Sequence, residues 1–241
     1  MSDNSSIEWT EATWNPTSGC TKVSPGCDRC YAERMALRFP KTFPNKFELT
    51  LRPSLLDLPL HWRRPRTIFV NSMSDLFHAN VPEEYIAQVF DVMVRCPQHT
   101  FQVLTKRAER LARVAPRLPW PSNVWMGVSV ETPAFQWRVD YLRKTPAAVR
   151  FVSAEPLLAP LRNLNLEGIH WLIAGGESQP GARAAEVSWF EELRDQCAAF
   201  EVAFFLKQLG GHPSKRGGEQ AVLDGRRWID LPAMHVTPGT C

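Results

Sequence analysis

The segment Val124–Glu131, VWMGVSVE, gives the clearest indication of the fold. Successive side chains of a β-strand point to opposite faces of the sheet. One face of this segment is apolar and consists of Val124, Met126, Val128 and Val130. The other face consists of Trp125, Gly127, Ser129 and Glu131, and it becomes polar towards the carboxyl end. Functional groups of parallel α/β folds gather at that end of the strands, so we predict that Ser129 and Glu131 lie at a site.

Five other short apolar segments are predicted strands: Thr67–Asn71, Thr100–Thr105, Arg150–Ala154, Trp171–Ala174 and Ala203–Leu206. The predicted helices between them are Pro82–Arg95, Arg107–Ala115, Pro133–Arg143 and Ser188–Phe200. Ser188 is the expected N-cap of the last helix, with Glu191 completing a capping box. This alternation predicts an α/β fold with a parallel sheet, which a complete or partial (β/α) barrel and a doubly wound sheet both satisfy.

The composition is that of a single well-cored domain. The chain has 241 residues, of which 44% are hydrophobic, and a net charge of +3. We expect one domain over residues 1–241, with 210–241 as a C-terminal tail that contains a hairpin around Leu223–Gly225. The apolar runs are far shorter than the roughly 18 residues that cross a bilayer, and the polar start has no leader-like pattern. These features predict a cytoplasmic protein that is not associated with a membrane.

Three of the six cysteines, Cys20, Cys27 and Cys30, lie within eleven residues of a loop rich in glycine and proline. Their spacing, C-x6-C-x2-C, can direct thiolates to a zinc ion or an iron–sulfur cluster. Structural zinc requires a fourth ligand, and no His occurs between residues 1 and 60; Asp28 could serve but would be an unusual ligand. A [4Fe-4S] cluster is complete with three cysteines when one iron stays open to a small molecule. We predict a metal or cluster site, with unligated thiols as the alternative.

Three cysteines in the first loop of a predicted barrel resemble the radical S-adenosylmethionine superfamily. More narrowly, the chain is similar to a phage- and prophage-associated family within it. The matching stretches are WNPTSGCTKVSPGCDRCYAE, FVNSMSDLFH, VLTKR, MGVSVET, FVSAEPLL, IAGGES, FFLKQLGG and LDGRRW. The resemblance implies a single-domain partial or near-complete parallel (β/α) barrel with a [4Fe-4S] cluster on Cys20, Cys27 and Cys30. It also implies an enzyme that cleaves S-adenosylmethionine to a 5′-deoxyadenosyl radical, which abstracts hydrogen from a substrate.

The cysteine motif departs from the superfamily pattern in two ways. The common spacing is C-x3-C-x2-C, whereas the first interval here is six residues. The residue before the third cysteine is usually an aromatic residue that contacts the adenine, and here it is Arg29. Tyr31, directly after the third cysteine, is the candidate for that aromatic contact.

The resemblance also implies which residues bind S-adenosylmethionine. The loop after the second strand of the superfamily holds the amino group, and the matching residues are Asn71, Ser72, Ser74 and Asp75. Their amide, hydroxyl and carboxylate oxygens can accept hydrogen bonds from an ammonium group. Ser129 and Glu131 match the groups that contact the ribose or the carboxylate. Lys106, beside Arg107, is a candidate for the methionine carboxylate or an anionic substrate, unless it only begins a solvated helix.

Gly175-Gly176-Glu177 follows the sixth predicted strand, whereas a Gly-Gly-Glu motif of the superfamily normally follows the second. The two glycines permit close approach of an adenine, and Glu177 is then expected to point into the barrel mouth. A simple glycine turn is the alternative. Glu155 shares a face with Ser153 at the end of its strand, and we include it among the cofactor-binding candidates.

The expected partner is an external one-electron donor such as a flavodoxin or ferredoxin. A nucleic acid or nucleotide is the favoured substrate class, because the strand-end layout is similar to that of spore photoproduct lyases and the tail is basic. The basic tail residues are Lys215, Arg216, Arg226 and Arg227. The alternative function is a zinc- or cluster-stabilised nucleic-acid-binding protein without turnover. A third hypothesis is a barrel that transfers another group of S-adenosylmethionine.

Overall fold

The computed structural model describes Ser5 and residues 7–233. The strands, labelled in chain order, are β1 (Ala12–Trp14), β2 (Thr17–Ser18), β3 (Thr50–Leu51), β4 (Thr67–Val70), β5 (Thr100–Thr105), β6 (Val124–Ser129), β7 (Val149–Ala154), β8 (Trp171–Gly175), β9 (Ala203–Gln208), β10 (Val222–Leu223) and β11 (Arg226–Arg227). The helices are α1 (Tyr31–Arg38), α2 (Glu83–Val94), α3 (Ala108–Val114), α4 (Trp137–Leu142) and α5 (Val187–Ala199).

Seven parallel strands form one curled sheet in the order β1-β4-β5-β6-β7-β8-β9. Each strand of this sheet therefore lies beside the sheet strand that follows it in the chain. A doubly wound sheet would reverse this order at a switch point. The α/β prediction is confirmed, and the observed order and curvature are those of a half-barrel, so all seven carboxyl ends lie along one edge.

The two faces of the sheet are covered by separate apolar clusters. On the helix side lies the larger core, which includes Val124, Met126, Val128 and Val130. The inner face carries a second cluster made of Trp9, Phe69, Trp125, Val149, Phe151, Trp171, Ile173 and Phe205. Trp171 packs at 5.7–6.1 Å between ring centroids against four other aromatic rings of this cluster. The predicted division of β6 into two faces is confirmed, and the inner face is filled with side chains below the polar strand ends.

The structure differs from the sequence prediction at three local features. β1 was not predicted, because a three-residue strand offers too little alternation to recognise. Helix α5 begins at Val187 after the extended residue Glu186, which makes no side-chain cap hydrogen bond. Ser188 is therefore already inside the first turn and is not the N-cap. The predicted helix Pro133–Arg143 divides into a short 3-10 turn, Pro133–Phe135, and α4.

The C-terminal segment covers the β9 edge of the sheet. The predicted hairpin forms from β10 and β11, and φ is 51° at Asp224 and 71° at Gly225, as in a type I′ turn. The following residues pair with β9, where the Leu206 N–H donates to the Trp228 carbonyl at 2.8 Å. Residues 234–241, including Cys241, lie outside the described residues. No helix in the described part of the chain is long and apolar enough to span a bilayer.

Gly127 is required by the aromatic packing of the inner face. A Cβ atom at this position would lie 2.4 Å from Cε2 of Phe151, so Gly127→Ala overpacks a fully buried cluster. We expect a loss of about 1–3 kcal/mol in the free energy of unfolding, measured by urea denaturation. Combining it with Phe151→Leu should cost less than the sum of the two single changes, because the smaller side chain gives room. Strict additivity would contradict this packing account.

Candidate functional site

The cysteine loop, residues 19–30, lies across the carboxyl edge of the sheet. It is held on one side by the Gly19 N–H, which donates to the Met73 carbonyl at 3.0 Å, and on the other by the Cys20 N–H, which donates to the Phe47 carbonyl at 3.1 Å. Gly19 has φ +80°, and a Cβ atom there would lie 2.1 Å from the Glu48 carbonyl oxygen. The loop thus enters the site between two other backbone segments, where only glycine fits.

Asp75, after β4, is the first of three buried carboxylates that fasten this loop. Its Oδ1 accepts hydrogen bonds from the Phe77 N–H at 3.0 Å and the Thr105 hydroxyl at 2.7 Å. Its Oδ2 accepts from the Lys106 N–H at 3.0 Å and from Nη1 of Arg107 at 2.9 Å. Asp75 therefore has four internal donors and fixes the position of Arg107.

Arg107 connects Asp75 to the first cysteine of the loop. Its Nη1 lies 3.5 Å from Sγ of Cys20, and its Nη2 donates to the carbonyl and the hydroxyl of Thr21, both at 3.0 Å. Nε2 of His78 lies 2.9 Å from the same Thr21 hydroxyl. Burial, together with the charge of Arg107, lowers the pKa of His78, so a neutral imidazole supports this end of the loop.

Glu131, just after β6, holds the middle of the loop and is fully buried. Its Oε1 accepts a hydrogen bond from the Ser24 hydroxyl at 2.6 Å and lies 3.1 Å from Nζ of Lys106. Its Oε2 accepts from Nη1 of Arg138 at 2.9 Å. Burial raises the pKa of Glu131, but Lys106 and Arg138 outweigh burial and hold it below its usual value. The Ser24 hydroxyl also lies 3.7 Å from Sγ of Cys27.

Glu177, after β8, fastens the end of the loop. Nη1 of Arg29 donates to its Oε2 at 3.0 Å, and Nη2 of Arg183 donates to its Oε1 at 2.5 Å. Arg183 also donates to the Pro25 carbonyl at 2.9 Å and lies 3.6 Å from the Asp28 carboxylate. Burial raises the pKa of Glu177, but hydrogen bonds from both arginines outweigh it and the net pKa is lowered. Glu177 is thus an ionised link between the β8 end and the loop.

Cys20, Cys27 and Cys30 are free thiols and are all half-buried. Burial, assisted by the Asp75 charge, raises the pKa of the Cys20 thiol to about 11 despite the nearby Arg107. Burial also raises the pKa of Cys30, while the Glu33 and Ala32 backbone groups at the start of α1 lower it. Both thiols are therefore protonated near neutral pH, and a metal centre that binds them must displace protons.

The chemistry of these donors fits an iron–sulfur cluster. Thiolate ligands bring negative charge, and basic groups are already present, since Arg107 donates to Cys20 and the Lys106 charge lowers the pKa of Cys30. In a four-iron cluster each cysteine binds a different iron, so the sulfurs need not converge on one point. Within the described residues, no group of three or more His, Cys, Asp or Glu side chains is arranged around a single metal ion. The fourth ligand of a zinc site is not identified there.

The loop after β4 gathers four more of the predicted residues. The Tyr31 hydroxyl donates to the Ser72 carbonyl, and Nδ2 of Asn15 donates to the Ser72 hydroxyl at 3.1 Å. Nδ2 of Asn71 donates to the Thr17 hydroxyl at 3.0 Å, which lies 2.5 Å from the Ser74 hydroxyl. Asn71 adopts φ 64°, and its Oδ1 is buried without a hydrogen-bond partner. The polar groups of Tyr31, Ser72 and Ser74 are thus engaged with other groups of the chain, and Asn71 keeps one unpaired acceptor.

Glu155, directly after β7, lies on the same edge between the strands that carry Glu131 and Glu177. Nζ of Lys207 is 2.9 Å from Oε1 of Glu155, and the Ser153 hydroxyl is 3.5 Å from Oε2. Gly175 is the neighbour that leaves room for this carboxylate, because a Cβ atom there would lie 2.5 Å from its Oε1. Gly176 instead packs against the Leu209–Gly210 backbone. The Glu155–Lys207 pair thus places a negative and a positive group side by side at the carboxyl ends of β7 and β9.

Sequence reasoning missed three basic residues of the site, Arg138, Arg183 and Lys207. Arg138 could have been identified, because it lies on the same buried side of α4 as Val139 and Leu142, and an arginine on an apolar helix face needs a buried partner. Arg183 lies in an irregular segment, and its partner Glu177 is found only through the fold. Lys207 shares the inner face with Phe205; the sequence places it at a polar strand end, directly after the predicted strand Ala203–Leu206, but does not single it out as a site residue.

The comparisons with known proteins give one family. The family model described as "Protein of unknown function (DUF5131)" matches residues 4–232. The chain belongs to the DUF5131 family. This match includes the cysteine loop, the seven-stranded sheet and the hairpin of the DUF5131 fold described above. Neither a curated protein nor a solved structure matches the chain.

Asp75→Asn should strongly destabilise the protein. The new amide would leave Arg107 without its counter-ion and would turn an NH2 group towards backbone donors such as the Lys106 N–H. Breaking a buried pair costs about 3–5 kcal/mol, measured as the free energy of unfolding. Glu83→Gln breaks the exposed Arg117–Glu83 pair and should cost at most about 1 kcal/mol. Equal losses in the two variants would contradict the anchoring role of Asp75.

Glu177→Gln should change how stability depends on pH. Because the folded pKa of Glu177 is lowered, its ionised form contributes stability above the ordinary glutamate pKa, and this contribution is lost as pH falls through the folded value. The stability difference between wild type and Glu177→Gln should therefore be largest near pH 7 and should shrink below about pH 4. Denaturation curves at several pH values measure it, with the exposed Glu109→Gln as control. A difference that stays constant with pH would be the contrary result.

Proposed function

We propose that this chain is a radical S-adenosylmethionine enzyme whose [4Fe-4S] cluster is held by Cys20, Cys27 and Cys30. One observation carries the proposal: three free cysteines occupy a single loop that buried, ion-paired carboxylates fasten to the carboxyl edge of a parallel half-barrel. That edge is where α/β enzymes build their sites. A loop fixed at three points can hold three thiols in a defined arrangement, which a cofactor that reacts with bound small molecules requires.

When bound and reduced, the cluster would supply the electron that cleaves S-adenosylmethionine to methionine and a 5′-deoxyadenosyl radical. The residues of the chain would hold the cluster and S-adenosylmethionine in position. The inner aromatic cluster fills the floor of the half-barrel, so in this proposal S-adenosylmethionine would lie at the strand ends beside the loop. Arg107 and Lys106, although paired with Asp75 and Glu131, lie near Cys20 and Cys30 and would also favour the negative charge of thiolate ligands there.

The contacts divide the predicted cofactor-binding residues into two groups. Asp75, Glu131 and Glu177 are neutralised by basic groups of the chain, so their part is to hold the loop. Glu155 differs from them because its carboxylate, paired with Lys207, stays 14% exposed, and Asn71 keeps a buried oxygen that has no partner. A carboxylate beside an ammonium complements the amino and carboxylate groups of a methionine moiety, so we assign this end of S-adenosylmethionine to Glu155 and Lys207.

A nucleotide or nucleic acid is the substrate class in this proposal. Its support is the strand-end layout and the family resemblance, and the basic tail adds little. Arg227 pairs with Glu219 at 2.7 Å, and Lys215 lies 3.8 Å from Glu8. Two of the four basic tail residues thus already have acidic partners within the chain.

The test is anaerobic reconstitution with iron and sulfide, followed by reduction with dithionite in the presence of S-adenosylmethionine. We expect 5′-deoxyadenosine from the wild type, and a fall to background in Cys20→Ala, Cys27→Ala and Cys30→Ala, because each removes one iron ligand. The nucleoside products are measured by liquid chromatography and mass spectrometry, and iron content is measured on the same samples.

Cys96→Ala and Cys197→Ala are the matched controls, since both thiols are buried in the helix-side core and outside the loop. They should keep the cluster and the product. Intact S-adenosylmethionine after reduction of a wild-type protein with a full iron complement would refute the proposed reaction. Another nucleoside product would instead indicate transfer of a different group.

A further inference from the structure

Helix α1 presents its large side chains to solvent, which reverses the usual arrangement of an amphipathic helix. The residues that it buries are two alanines, Ala32 and Ala36. The large apolar residues on α1 and at its C-cap, Tyr31, Met35, Leu37 and Phe39, have exposed fractions between 43% and 55%. Val23, in the cysteine loop, is 41% exposed. Several large exposed apolar side chains on one short helix are a feature of interaction surfaces.

The same segment carries the positive charge of the chain. Residues 21–46 contain six Lys or Arg and two Asp or Glu, a net charge of +4, whereas the rest of the chain has 22 basic and 23 acidic residues. The basic residues are Lys22, Arg29, Arg34, Arg38, Lys41 and Lys46, and all are exposed. We call the exposed part of residues 21–46 the α1 surface. On α1 the helical period places Arg34 and Arg38 between Leu37 and the Tyr31–Met35 pair, so apolar and basic side chains alternate across this surface.

We propose that the α1 surface docks an acidic protein that carries one electron, and this inference rests on the function proposed above. Cys30 immediately precedes α1 and Cys27 lies one turn before it, so a carrier on this surface would be close to the thiols. One electron would leave the reduced flavin or iron–sulfur centre of the carrier, and the cluster would gain it. No atom or proton needs to be transferred between the two proteins.

Other occupants fit the α1 surface less well. A second copy of this chain would place two surfaces of net charge +4 against each other, which like-charge repulsion disfavours. A nucleic acid would use the cations and leave Met35, Leu37 and Phe39 in water. A transient protein interface combines an apolar centre containing Met, Tyr, Phe and Arg with a charged rim, and opposite charge speeds the encounter of the two proteins.

The test measures binding of a bacterial flavodoxin to the reconstituted protein by isothermal titration calorimetry, at about 20 mM and 200 mM salt. Arg34→Glu/Arg38→Glu should weaken binding about tenfold or more at low salt and reduce its salt dependence. Arg63→Glu/Arg64→Glu is the matched control, because both residues are exposed and the change of charge is the same. Equal affinity in the two double variants, or no binding by the wild type, would overturn the proposal.

A second readout separates this inference from the proposed function. With dithionite as reductant, Arg34→Glu/Arg38→Glu should form 5′-deoxyadenosine at the wild-type rate, since dithionite does not need a docking surface. With reduced flavodoxin, the same variant should be slower by the factor seen in binding. If no reductant yields 5′-deoxyadenosine, the proposed function fails while the calorimetry still decides the docking claim. Loss of oligonucleotide binding with unchanged flavodoxin binding would assign the surface to nucleic acid and overturn the inference.

Discussion

The structure of the site depends on the neutralisation of three buried carboxylates at strand ends. Asp75, Glu131 and Glu177 could not be buried without nearby cations, because an unpaired buried charge costs several kcal/mol. Two of those cations, Lys106 and Arg107, come from the end of β5, and Arg29 comes from the cysteine loop itself. The loop adds Arg29 and the Ser24 hydroxyl to these buried carboxylates, so the contacts that satisfy the charges also position the thiols.

The sequence was sufficient to predict the structural features that depend on a local repeat of apolar residues. The alternation in β6 predicted both faces of the sheet, because a two-residue repeat is independent of the rest of the fold. Glu131 and Glu177 were placed at the correct edge, but their partners were not predicted. Ser24 and Glu131 are separated by 107 positions, and Arg29 and Glu177 by 148. Such pairings depend on how the loop crosses the sheet, which no spacing in the sequence encodes.

Different surfaces of the half-barrel have different roles. Aromatic packing closes the inner floor, polar strand ends form the mouth, and the cysteine loop crosses that mouth. Helix α1 continues from the third cysteine to the outside, with its apolar and basic side chains exposed. In the two proposals, a ligand binds at the strand ends and a protein docks on α1, the helix that begins directly after the third cysteine.

The central claim is that the loop holds a four-iron cluster with one iron open to S-adenosylmethionine. Mössbauer spectroscopy of protein reconstituted with ⁵⁷Fe, recorded before and after adding S-adenosylmethionine, tests it most directly. The account predicts a [4Fe-4S] spectrum in which one iron of the four changes its parameters when the cofactor binds, because the other three have cysteine ligands. A spectrum that S-adenosylmethionine leaves unchanged, or a protein that binds zinc and assembles no cluster, would contradict it.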